Sequence, residues 1–103
     1  MAKFTGDRYA TIGIQTEIPL ELQIILWGMI DDNIRTGLKM DYLQVFELSA
    51  TYKNGELVQE ITHKQEQPRR RKTVTVSTNN PVNVKIFVID DVTHSTMLLS
   101  NEY

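Results

Sequence analysis

Two groups of residues in this sequence could in principle carry metal or acid–base chemistry. One is His63 with Glu66; the other is Asp90-Asp91-Val92-Thr93-His94-Ser95. His63 and Glu66 stand three apart in a strand-to-loop passage, whereas that spacing converges on a ligand only where a helix brings both to one face. Serine, histidine and aspartate close in sequence do not make a triad, which is defined by geometry. No P-loop, dinucleotide fingerprint or nucleophile-elbow pattern occurs. The chain has no cysteine, which excludes disulfides, thiolate zinc sites, iron–sulfur ligation and cysteine nucleophiles. The expectation is a protein with no catalytic group, no metal site and no cofactor, and therefore not an enzyme.

Binding chemistry is better represented. Arg69-Arg70-Arg71-Lys72, with His63 and Lys64 upstream, is the densest run of one charge sign. Four cations at the start of a strand could hold phosphates, or another anionic partner, with salt-sensitive affinity. No aromatic residue is interleaved in the run, and such a run also guards a sheet edge against aggregation. A second candidate lies on the long helix. At about 100° per residue, Leu20, Ile24, Trp27 and Ile34 fall on the side away from its core stripe. A helix apolar nearly all round is normally covered twice. The outer cover is expected to be the C-terminal segment around Met97-Leu98-Leu99, or else a protein partner or second copy anchored by Trp27.

The elements that must position these residues follow from periodicity. Arg8 to Ile14 alternates as a first strand, and Thr16-Glu17-Ile18-Pro19 turns into a helix over about Pro19–Arg35. Its core stripe is Leu22, Ile25, Leu26, Met29 and Ile30, and Gly37 is placed to end it. Leu43–Tyr52 and Glu56–Lys64 flank Asn54-Gly55, the preferred centre of a type I′ hairpin. That turn sets Tyr52 opposite Leu57, Ala50 opposite Gln59, Leu48 opposite Ile61 and Phe46 opposite His63, and most of the apolar residues then share a face. Gln65 to Arg70 reads as a polar loop, with strands over Lys72–Ser77 and Val82–Ile89. Residues 92–103 carry no clear pattern. The fold class is α+β: a mainly antiparallel sheet with one long N-terminal helix on a face, in the order β-α-β-β-β-β plus a C-terminal tail.

With 103 residues, 41% hydrophobic and 23% charged, the chain is sized for a single domain over residues 1–103. A formal net charge of -2 leaves no global attraction for nucleic acid, so any such binding must come from a local patch. The apolar stretch Ile24–Ile30 is far too short to span a bilayer, and residues 1–8 lack a signal-peptide core. A cytoplasmic protein with no membrane contact is expected.

Three stretches carry a resemblance: Glu17-Ile18-Pro19-Leu20-Glu21-Leu22-Gln23, Asp41-Tyr42-Leu43-Gln44-Val45-Phe46-Glu47-Leu48, and Thr96-Met97-Leu98-Leu99-Ser100-Asn101-Glu102-Tyr103. Together they resemble a small family of Gram-positive bacteria and their mobile elements, catalogued as domain of unknown function number 960. His63-Lys64-Gln65-Glu66-Gln67-Pro68 is similar to a loop of such proteins. The resemblance spans nearly the whole chain and implies a context, bacterial cytoplasm with phage or plasmid origin, but no activity. The run Arg69–Lys72 is more basic than that pattern, so its role belongs to this sequence. The functional expectation is a non-enzymatic protein-interaction module. The alternative is a mobile-element inhibitor of a host nucleoprotein machine such as a CRISPR effector, or a nucleic-acid-associated accessory protein.

Overall fold

The computed structural model describes residues 2–103. Its elements are β1 (Asp7–Ala10), α1 (Ile12–Glu17), α2 (Leu20–Arg35), β2 (Leu43–Lys53), β3 (Glu56–Glu66), β4 (Arg69–Val76), β5 (Val84–Asp90) and β6 (His94–Leu99), followed by a 3-10 turn, Ser100–Glu102. The six strands form one sheet in the order β1-β6-β5-β2-β3-β4. All pairings are antiparallel except β1 with β6, so the sheet is mixed.

The β2–β3 hairpin has the expected register, with Tyr52 opposite Leu57 and Phe46 opposite His63. Asn54 and Gly55 both adopt positive φ, 53° and 80°, as a type I′ turn demands. α2 buries Leu22, Leu26 and Ile30 completely, the i, i+4, i+8 ridge of a core-facing helix. Its C-terminus closes as a Schellman motif: Gly37, at φ 75°, donates to the Ile34 carbonyl, and Leu38 donates to that of Asn33. Those helical residues pack with Phe46, Leu48, Ile61, Ile86, Val88, Met97 and Leu99, all on one face of the sheet, in a single core cluster. Each such side chain contributes roughly 1.5–3 kcal/mol by leaving water.

Four expectations need correction. The first strand stops at Ala10, because Thr11 caps a helix instead: its hydroxyl accepts from the Ile14 N–H at 3.4 Å and donates to Glu102 at 2.6 Å. Alternation misled because Ile12 is exposed while Ile14 is buried in the core. Pro19 sits at the N-cap of α2 rather than inside it. Gln65–Arg70 is not a loop; β3 runs through Glu66, and β4 starts at Arg69 after a two-residue turn with a cis Gln67–Pro68 bond. The C-terminal tail does not cover α2. It is β6, inserted between β1 and β5, because Met97 and Leu99 fill the core beneath the helices.

The turn chemistry gives a direct test. A Cβ at Gly55 would meet nothing within 4 Å, so substitution there costs backbone strain alone. Gly55→Val should destabilise the protein by about 1 kcal/mol or more, read as a lower urea midpoint; an unchanged midpoint would contradict the turn's role in fixing the register.

Candidate functional site

Strand alternation divides the basic run between two faces. His63 opposes Lys72 and Gln65 opposes Arg70, so these cations lie on the helix-bearing side. Lys64 opposes Arg71 and Glu66 opposes Arg69, which puts Arg69 and Arg71 on the other side. β4 is an outer strand of the sheet, and all four cations are exposed. Among the described residues none of the four forms an ion pair, whereas Lys64 holds Glu47 at 3.0 Å. That bond, chiefly, lowers the Glu47 pKa below the usual carboxylate range.

The second face carries no long helix. Across it, Arg71, Lys64, Val45, Phe87 and Leu98 make one row running from β4 to β6. A groove of ≈ 730 Å³ opens over the first part of that row. Leu43, Val45 and Phe87 provide apolar floor, Tyr42 stands at its margin half exposed, and Lys64, Arg69, Arg71 and Lys85 contribute positive charge, while Arg70 borders the groove from a strand position that faces the helices. Only two carboxylates, Asp41 and Glu66, line it. A chain with formal net charge -2 therefore concentrates cations at one groove. Tyr103 extends the aromatic surface by setting its ring against Phe87 at 5.5 Å and 88°.

On the opposite face His63 is buried and structural in its contacts. Its ring stacks on Phe46 at 4.2 Å, and Nε2 lies 2.6 Å from Gln44 Oε1. The Gln44 amide donates to the Asp41 carbonyl at 2.8 Å and to Gln65 Oε1 at 2.9 Å. That orientation leaves Oε1 as acceptor, so His63 must donate from Nε2. Burial, with the charges of Arg70 and Lys72 adding to it, pulls the His63 pKa from 6.5 to about 4.

The remaining candidates are dispersed. Leu20 and Ile24 are exposed on the outside of α2, and Ile34 is at the border of exposure. Trp27 is half-buried beneath the Arg8 guanidinium, 4.7 Å from its ring centre, and Arg8 in turn pairs with Asp31. His63 and Glu66 are separated by alternation, one inside and one in solvent. His94 meets Asp91 at 3.7 Å and Tyr9 edge-on, and among the described residues no three metal-ligating side chains cluster. No described helix is long and apolar enough to cross a membrane. Tyr42, Lys85 and Phe87 were absent from the sequence-based candidates; they come from separate strands, and only the register gathers them.

The architecture is thus a two-layer α+β domain with helices on one sheet face. The model of a family described as Staphylococcal protein of unknown function (DUF960) matches residues 7–102, and the chain belongs to that family. A crystal structure of a protein of unknown function from Enterococcus faecalis has the same fold, with TM-score 0.78 and 24% identity over 100% of this chain and 97% of that one. No curated protein matches the sequence.

The His63 environment predicts a pH response. Its folded-state pKa lies below that of the unfolded chain, so the unfolded state takes up the proton first. The stability held by neutral His63 is complete above about pH 6.5 and declines toward pH 4 by up to about 3 kcal/mol. Urea titrations from pH 7 to 4.5 should show this slope, and His63→Gln should flatten it; equal slopes would remove His63 as the cause.

Proposed function

We propose that this protein is a non-enzymatic binding module that holds an anionic macromolecule along β4 and in the adjoining groove. One observation carries the reading: Arg69, Arg70, Arg71 and Lys72 stand exposed and without ion-pair partners among the described residues, although the chain has 13 carboxylates. Charge on an outer strand also protects its edge from pairing with another chain. Four cations on one edge strand, two to each face, repel one another, and an anion chain along that edge relieves the repulsion while releasing its own counterions. The groove widens the contact from a line of charge to a surface, since Lys64 and Lys85, which share the single carboxylate Glu47, leave net positive charge across β3 and β5.

Heparin tests charge alone. The protein should bind it at about 50 mM salt, with affinity falling steeply as salt rises. Replacing all four cations of the run with Gln should abolish binding while the unfolding midpoint moves little, as is usual for surface substitutions. An absence of heparin binding by the unaltered protein, or full binding by the fourfold variant, would overturn the proposal.

A further inference from the structure

We infer that the anion is a single-stranded nucleic acid, with phosphates held by Arg69 and Arg71 at the β4 edge and unstacked bases laid on Tyr42 and the Phe87–Tyr103 pair. This rests on the anionic-ligand reading above and names the ligand's class. A polyanion without bases uses only the cations. It leaves unexplained why the groove beside them is floored by Leu43, Val45 and Phe87 and bordered by exposed aromatic rings.

The geometry suits a ligand in which charge and flat apolar groups alternate. Arg69 and Arg71 project from the same face two residues apart, about 6.8 Å along the strand, a separation that successive phosphates of an extended strand can match. Strands lie about 4.8 Å apart, so Phe87 on β5 sits about 14 Å across the face from Arg71. The order from edge to centre is therefore cation, then apolar floor, then aromatic pair. Tyr42 is 53% exposed and Tyr103 72%, so both rings are available for stacking. Base–aromatic stacking is tolerant of sequence and needs bases free of a complementary strand. A duplex presents phosphates to the cations but keeps its bases stacked inside, out of reach of the rings. An acidic peptide supplies charge, and rings where its sequence has them, but only a nucleic acid repeats one phosphate and one planar base in every unit.

Fluorescence anisotropy with a labelled oligothymidine of about twelve nucleotides, within the usual range of binding-site sizes, tests the inference. A duplex of equal length, heparin and polyglutamate serve as competitors. The single strand should bind more tightly than the duplex, and polyglutamate should compete poorly. Tyr42→Ala and Tyr103→Ala are surface changes whose fold circular dichroism verifies. Each should weaken single-strand binding at least about fivefold and leave heparin binding unchanged. The double variant Arg69→Gln/Arg71→Gln should reduce the slope of log affinity against log salt by about 1.4. Equal affinity for single strand, duplex and polyglutamate, or indifference to both tyrosine variants, would overturn the nucleic-acid inference while the polyanion reading stands. No binding to any of the four probes would overturn both.

Discussion

The register of the β2–β3 hairpin is the constraint on which the rest of the molecule depends. Side chains alternate with period two, so a slip of one residue would carry the whole apolar set of the slipped strand to the wrong face. A slip of β3 against β2 would turn Ile61 to solvent and bring Thr62 and Lys64 into the core opposite Phe46 and Leu48. Asn54 and Gly55 prevent this locally through paired positive φ angles. β5 is then aligned on β2, and β4 on β3, so the error-free hairpin propagates its phase through four strands.

Because that phase is fixed, β3 can afford polar residues inside. Gln59 and Gln65 lie toward opposite ends of its helix-facing row, and both are buried. Each acts as a substitute for backbone where the ladder ends. Gln59 donates to the Ser49 and Val82 carbonyls and accepts from the Val82 N–H at 2.7 Å, which docks the segment before β5. Gln65 donates to the carbonyls of Lys39 and Pro68 at 2.9 Å and accepts from the Asp41 N–H, which ties the approach to β2 and the β3–β4 turn together. Gln44 and His63 complete the second cluster. The turn that presents Arg69 is thus anchored from within.

The legible parts of this fold were those whose cause is local. Asn54-Gly55 announces its turn in two residues, and Leu22, Leu26 and Ile30 announce a buried ridge within three turns of helix. The parallel β1–β6 pair joins Asp7–Ala10 to His94–Met97 across most of the chain, and no nearby residue signals it. Ile12 and Ile14 are the same residue type two apart, and the Thr11 cap, held by Glu102 from the far end of the sequence, starts a helix there. The candidate site divides in the same way. Arg69 to Lys72 was visible as charge, but its partition into two pairs required the β3–β4 register. Tyr42, Lys85 and Phe87 had no signal as a group, since their nearness exists only after three strands align.

An antiparallel sheet with one bare face normally shows water a polar row. Here the central strands place Leu43, Val45, Phe87 and Ile89 on that side, partly exposed, while the core on the other side is already closed by α1 and α2. Packing therefore does not require those residues to be apolar, because the helices sit on the opposite surface. Charge makes the same point. Lys64 and Lys85 share one carboxylate, Glu47, with Lys85 at the longer 4.0 Å, and Arg69 and Arg71 have no ion-pair partner among the described residues. A face that is both more apolar and more cationic than stability asks for is under-satisfied in two ways at once. A ligand that carries negative charge and apolar surface together satisfies both, and neither a purely charged nor a purely apolar partner does.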